Sequence, residues 1–333
     1  MTTSTVPAPA PAFPDRFRAR AGAGATLTFA EFMALALYDP EVGYYRGGRP
    51  RVGRGADTDF FTATTVGPVF GEAVVAACVT LLGGAAVAAR HEFVELGAED
   101  EAGVLAGISH PFARARVVRV GVPVELTGPC VVFSNELFDA QPLRRFVRRG
   151  REWHELGVRL AGAALAEVEL EAVAAPWLPE VAPEGYLFDA PRDAMALAGA
   201  IAAQPWHGLF VAGDYGKSWE VLATATPAGT VRAYHRHTQT NDLLARPGEQ
   251  DLTGHVCWDW LQAALVGGGF AAPVVESQEA FFVRNAAGWL EAALAGDTHP
   301  LSPRKRALMQ LLHPAQMGQK FQVLHARRKA SAV

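Results

Sequence analysis

The run Phe93-Val94-Glu95-Leu96-Gly97 constrains this chain more than any other. A short apolar stretch closed by polar residues suits a strand buried on both faces of a sheet. In open α/β sheets, a strand ending in Glu-Leu-Gly leads into a glycine-rich turn. There the backbone approaches a nucleotide-like ligand, and a helix N-terminus receives the ligand's anionic end. In this chain Gly97 is followed by Ala98, Glu99, Asp100 and Glu101 before Ala102 and Gly103, so acidic side chains stand where small residues are expected.

Residues 93–96, 117–120, 131–133 and 209–212 all read as buried strands. Helical spacing follows the plausible cap Thr28 and ends before Pro40, runs over residues 69–82 up to Gly83-Gly84, and recurs over 192–203. Alternating strands and helices predict an α/β fold, a doubly wound and mostly parallel Rossmann-like sheet with an N-terminal helical segment. Residues 146–156 predict an inserted β-hairpin turning at Gly150, whose arginines face either solvent or an acidic partner. The stretch from Gly43 to Gly55, with Arg46, Arg49, Arg51 and Arg54, reads as a surface loop. Residues 1–26, rich in Ala, Pro and Thr, predict a disordered tail, 27–325 a single domain and 326–333 a second tail.

With 333 residues, half of them hydrophobic, the chain can bury a full core, and a net charge of −4 offers nucleic acid or an anionic membrane no general attraction. The uncharged run 73–89 is short of the roughly 20 apolar residues that span a bilayer and is broken by glycines, which predicts buried core. Cys78, Cys130 and Cys257 form no CxxC pair and read as small buried hydrophobes. No secretory apolar run opens the sequence, so a cytoplasmic location is expected.

Two segments place polar groups at the carboxyl ends of strands, where such sheets put their ligands. The first is Ser134-Asn135-Glu136-Leu137-Phe138-Asp139, read either as a ligand site or as a turn in which Asn135 or Asp139 caps a helix. The second is Gly213-Asp214-Tyr215-Gly216. His235 and His237 would share one strand face, but with no acid or cysteine at matching spacing a metal site is not expected. No GxSxG, P-loop or HExxH pattern is present.

In their order along the chain, several blocks resemble the MidA-like class I S-adenosylmethionine-dependent methyltransferases, which include a mitochondrial complex I assembly-factor protein-arginine methyltransferase. They are Gly43-Tyr44-Tyr45, Asp59-Phe60-Phe61-Thr62 with Phe70-Gly71-Glu72, Val94-Glu95-Leu96-Gly97, Asn135-Glu136-Leu137-Phe138-Asp139-Ala140, Asp214-Tyr215-Gly216, Arg232-Ala233-Tyr234, Pro247-Gly248-Glu249 and Met317-Gly318. The resemblance implies S-adenosylmethionine as cofactor, held by Glu95, Gly97, Asp59 and Thr62. It places Asn135, Glu136 and Asp139 where methyl donor and acceptor meet, and a protein side chain, arginine among them, as acceptor.

The chain departs from that pattern where the family continues with Pro-Gly-x-Gly. The interval from Gly97 to Asn135 has room for about one βαβ crossover, and residues 117–121 end without an acid for a ribose, Glu125 being the nearest. Weakened cofactor binding is therefore expected, and a catalytically inactive scaffold that binds a partner protein is the alternative function. If acid and bulk in the turn are the obstacle, replacing Glu99 and Glu101 with Gly raises affinity for S-adenosylmethionine at least about tenfold, which takes ~1.4 kcal/mol. Unchanged affinity by calorimetry places the loss in the shortened segment instead.

Overall fold

The structure, a computed structural model, describes residues 12–46, 51, 58–59, 63–98, 102–162, 164–296, 299 and 302–330. The chain opens with helices α1 (Phe13–Ala21), α2 (Phe29–Tyr38) and α3 (Pro68–Leu82), followed by strands β1 (Glu92–Ala98), β2 (Arg114–Arg119) and β3 (Gly128–Asn135). Strands β4 (Arg144–Arg149), β5 (Glu152–Ala161), β6 (Ala164–Val173) and β7 (Leu187–Ala190) come next, then α4 (Arg192–Ala202) and β8 (Trp206–Asp214). After these come β9 (Arg232–His235), β10 (Thr238–Thr240), β11 (Asp251–Thr253) and α5 (Trp258–Gly267). The last elements are β12 (Ala271–Ser277), α6 (Gln278–Asn285), α7 (Ala287–Ala295), α8 (Pro303–Leu312) and β13 (Gln322–Arg328).

The central sheet has six strands in the order β12-β13-β8-β3-β1-β2, with β2, β1, β3 and β8 parallel, β13 antiparallel to β8 and β12 antiparallel to β13. Its inner strands β1, β3 and β8 are apolar on both faces because helices cover both. Phe93, Val131, Phe133, Leu209 and Val211 point to the side holding α3, α6, α7 and α8. Val94, Leu96, Val132, Phe210 and Ala212 point to the side holding α4 and α5. The period of two thus places successive residues in different cores. Cys78, Cys130 and Cys257 are buried, as their apolar settings implied. Between β1 and β3 the chain adds only the edge strand β2, and residues 102–113 form turns rather than the helix of a βαβ crossover.

The expected hairpin is present, with Gly150 at φ 54°, but it belongs to a larger antiparallel sheet. β5 pairs with β4, β6 and the short strand Thr26–Thr28, and β4 pairs with β7. This sheet is inserted between β3 and α4 and carries its own apolar layer, in which Phe29, Phe32 and Met33 of α2 meet Val158 and Leu160.

Both predicted tails are shorter than expected. α1 is held by fully buried Phe17 and by the Arg16–Asp39 ion pair at 2.8 Å, so order begins well before residue 27. At the other end β13 continues to Arg328, whose guanidinium donates to the carbonyls of Ala202, Gln204, Trp206 and Gly268. Residues 1–11 and 331–333 lie outside the described residues. No helix among the described residues is long and apolar enough to cross a membrane.

α2 starts with a capping box. Thr28 Oγ1 accepts from the Glu31 amide at 3.2 Å, and Glu31 Oε2 accepts from the Thr28 amide at 2.8 Å. Because this helix packs into the apolar layer of the inserted sheet, Thr28→Ala is expected to cost about 1 kcal/mol, read as a lower urea midpoint at unchanged slope.

Candidate active site at the carboxyl edge of the sheet

The end of β1 forms one side of the site. Gly97 has φ 76° and interrupts the β1–β2 register, and a Cβ there would stand 2.7 Å from Leu137 Cδ1. Only glycine allows both the backbone conformation and that approach. Glu95 is buried, and its Oε2 accepts from the Val104 amide at 2.6 Å. Gly103, at φ 65°, leaves room for that carboxylate and for Val117, while Gly71 of α3 lets the Val104 carbonyl pack against the helix. Glu95 thus folds the returning chain back onto its own strand. Gly103 and Gly71 went unassigned in the sequence because their need comes from contacts made across the fold. Glu99, Asp100, Glu101 and Thr62 lie outside the described residues.

The loop after β3 forms the centre. Glu136 is held in the left-handed region at φ 53°, its amide donates to the Gly213 carbonyl at 2.8 Å, and Asn135 Nδ2 donates to Glu136 Oε1 at 3.1 Å. A non-glycine residue there costs on the order of 1–3 kcal/mol and persists only where its surroundings over-determine it. Asp214, at the end of β8 and fully buried, accepts the amides of Phe138 and Asp139 on Oδ1 at 3.1 and 3.0 Å. Asp139 is buried as well, and its carbonyl accepts from the Gly254 amide at 2.9 Å. Neither Asn135 nor Asp139 caps a helix, because residues 136–143 form no helix, and the amides of Glu136, Phe138 and Asp139 go to Gly213 and Asp214.

Tyrosines and a third group of strands form the far side. Tyr45 donates to Asp251 Oδ1 at 2.9 Å and stacks on Tyr38 with ring centres 5.4 Å apart, and Tyr38 donates to the Ala140 carbonyl at 2.7 Å. Asp59 accepts from the Tyr44 hydroxyl on Oδ2 and from the Arg236 amide on Oδ1, both at 2.7 Å, so both its oxygens already bind protein. Arg51 is buried over the rings of Tyr44 and Tyr45 rather than lying on the surface, its stem and fork covered by the aromatic pair; Arg49 and Arg54 are outside the described residues. His235 and His237 do not share a strand face. β9 ends at His235, and Arg236 and His237 take positive φ to make the turn into β10. Among the described residues no group of three or more His, Cys, Asp and Glu is placed to hold a metal ion.

The structure therefore brings Asn135, Glu136 and Asp139 together and adds Asp214, Asp251, Tyr45, Tyr215 and Tyr234. Leu137 connects this group to Gly97. The concentration of acid shows in the titration. Burial lifts Asp214 to about 8; the amides of Asp139 and Phe138 oppose that rise and the charge of Glu136 adds to it. Asp139 is pushed well above the ordinary carboxyl range by burial, then by Asp214 and Asp251. Burial also lifts Asp251 to about 6 against the hydrogen bond from Tyr45. Asp214, with two amides on one oxygen, is better able to carry charge, so Asp139 keeps the proton of the pair. Asp139 Oδ1 and Asp214 Oδ2 are both buried, with the two side chains set against each other.

Known proteins resemble this chain in sequence and in fold. A family model described as "Putative S-adenosyl-L-methionine-dependent methyltransferase" matches residues 118–273, the span that contains β3, the acidic loop and the end of β8. A COG1565 superfamily member and "likely methyl transferase" from Burkholderia thailandensis, solved bound to S-adenosyl-homocysteine, superposes with TM-score 0.82 at 26% identity, covering 98% of this chain and 96% of that one. A second crystal structure from that organism, an uncharacterized COG1565 superfamily protein, has TM-score 0.78 at 24% identity with the same coverages and shares the fold. No curated protein matches the chain.

The raised carboxyl pKa values give the fold a pH dependence of definite sign. Above the ordinary value near 3.8 the unfolded chain releases protons that the folded pair still holds, so this contribution is full in acid and declines as pH rises toward about 8. In urea titrations at about pH 5 and about pH 8.5, the wild type is expected to lose more stability between the two than Asp139→Asn, which has one fewer titrating group in the pair. Equal losses would show that the pair titrates normally.

Proposed function

We propose that the chain is an S-adenosyl-L-methionine-dependent methyltransferase of the family whose model matches residues 118–273, and that it moves a methyl group to a nitrogen of a protein side chain such as arginine. The observation that carries this reading is the buried acidic centre. Asp139, Asp214 and Asp251 converge at the carboxyl edge of the sheet, with the side chains of Asp139 and Asp214 set against each other. Such a centre holds protons when no cation is near and can release them to pair with one; the cationic groups here are the sulfonium and ammonium of the methyl donor and the guanidinium of the acceptor.

The turn at Gly97 and the loop at Asn135 and Glu136 would hold the donor, as in the carboxyl-edge crevice of any open α/β sheet. When bound, S-adenosylmethionine supplies an electrophilic methyl group carried on sulfur. Glu136, half-buried at the mouth and locked in its left-handed conformation, aims a carboxylate at two N–H groups of a guanidinium. As the nitrogen gains its bond to carbon it loses a proton, which Glu136 accepts. Asp139 keeps its own proton and so adds no second charge beside Asp214. Tyr215 and Tyr234, whose hydroxyls sit near Glu136 and Asp139, wall off the acceptor and stay protonated because burial raises both.

The acidic run Glu99-Asp100-Glu101 favours a second reading, a scaffold that keeps the acidic cleft for a partner protein and no longer binds the donor. One like charge about 4 Å from the donor's carboxylate costs about 4 kcal/mol at an effective dielectric of about 20, ample to remove useful affinity. Calorimetry with S-adenosyl-homocysteine decides between the two. Saturable binding with a dissociation constant of about 100 μM or below supports the enzyme, and no detectable heat up to about 1 mM supports the scaffold. In the enzyme, Glu136→Gln is expected to slow methyl transfer about a hundredfold or more while leaving S-adenosyl-homocysteine affinity within about threefold. A variant as fast as wild type removes Glu136 from the proton transfer.

A further inference from the structure

The arginine-rich hairpin of the inserted sheet plays no part in methyl transfer as described, and it carries a site of its own. A cleft of about 570 Å³ lies between the β4–β5 turn and the chain leaving β6; Arg148, Trp153, Val173, Ala174, Pro176 and Leu178 are among the residues lining it. A volume of this order is that of a small-molecule site, which runs from about 300 to 1,000 Å³.

Arg148 distinguishes this cleft from an ordinary surface depression. It is only 7% exposed, yet no carboxylate among the described residues forms an ion pair with it. Its guanidinium lies 5.4 Å from the centre of the Trp153 ring, Nε donates to the Gly150 carbonyl at 3.1 Å, and Nη2 donates to the Glu180 carbonyl at 3.3 Å. Nη1 bonds no described protein atom and is not among the sealed-off polar atoms. The platform beneath is fixed in turn, since Trp153 donates from Nε1 to the Pro179 carbonyl at 2.8 Å and packs edge-on against Tyr186. The neighbouring Arg149 spends its charge elsewhere, on Glu169 and Glu184.

A buried arginine is ordinarily paired, because an unpaired charge removed from water is unfavourable. Two neutral carbonyls orient this one without cancelling its charge. Arg151 and Glu152, of opposite sign, both lie exposed at the rim, where solvent screens them. Glu180, which gives Arg148 its carbonyl, also lines the cleft and is exposed to solvent like Glu152; the remaining walls are alanine, valine, proline, leucine and the indole. We infer that the cleft binds a small organic anion, a carboxylate with an apolar body, whose oxygens meet Arg148 and whose body lies along Trp153, Val173 and Pro176.

The full chain can be titrated with 4-phenylbutyrate, its neutral amide and inorganic phosphate, followed by ligand-observed NMR. 4-Phenylbutyrate is expected to bind saturably with a dissociation constant of about 1 mM or lower, and both the amide and phosphate at least about tenfold more weakly. Arg148→Gln should weaken the carboxylate at least about tenfold. Ala174→Trp, which fills the cleft while leaving Arg148 in place, should abolish binding, and this variant decides the matter if Arg148→Gln fails to fold. The inference is overturned if acid and amide bind alike, if phosphate binds as well as phenylbutyrate, if Ala174→Trp binds normally, or if no saturation occurs by about 20 mM. None of these outcomes depends on whether the chain transfers methyl groups.

Discussion

The hydrogen bonds from the amides of Phe138 and Asp139 to Asp214 Oδ1 hold the rest of the site in place. The loop after β3 leaves the sheet with no helix of its own, so its amides need acceptors, and the neighbouring strand provides them from a fully buried carboxylate. With the loop anchored there, Phe138 enters the core on the α4 and α5 side, the Asp139 carbonyl receives Gly254, and Glu136 is forced into its left-handed conformation. Removing one buried acceptor would release two amides, the bend at Glu136 and the seat of Asp139 together.

The same arrangement explains why the acidic centre is tolerated. Asp139, Asp214 and Asp251 would repel if all were charged in a low dielectric, and burial resolves this by raising their pKa values. Tyr45 steadies Asp251, and Tyr38 takes the Ala140 carbonyl, so the ring stack that begins at the end of α2 reaches the acidic centre from outside the central sheet. The inserted sheet and α2 thus brace the acceptor side, while β1 and α3 brace the side proposed for the donor.

The inner strands β1, β3 and β8 were legible in the sequence because each is a run of residues apolar on both faces, a pattern that depends on local order alone, whereas β12 and β13, with polar and exposed positions, gave no such signal. The cap at Thr28, the turn at Gly150 and the stop at Gly83 were legible for the same reason: each is an interaction among residues a few positions apart. Asn135, Glu136 and Asp139 could be named from their position after a strand, since open sheets gather ligands there. The sequence did not reveal that Asp139 shares its environment with Asp214 and Asp251, residues far along the chain, or that Asp59 gives both its oxygens to Tyr44 and Arg236. The expectation that His235 and His237 share a face failed because two consecutive positive φ values turned a strand into a hairpin.

What the sequence by itself determined is the alternation of elements, the position of the polar loops at strand ends and the acidic character of the turn after Gly97, all set by residue type and local spacing. Tertiary structure alone decided the rest. Gly103 and Gly71 are required only because Glu95, Val117 and Val104 close over them, and Phe17 and Arg328 draw the supposed tails into the fold by packing against distant segments. Burial is a property of what the rest of the chain places around a residue. The same carboxyl group that would be charged and solvated in the unfolded chain therefore becomes, at Asp139, a protonated group in a buried acidic centre.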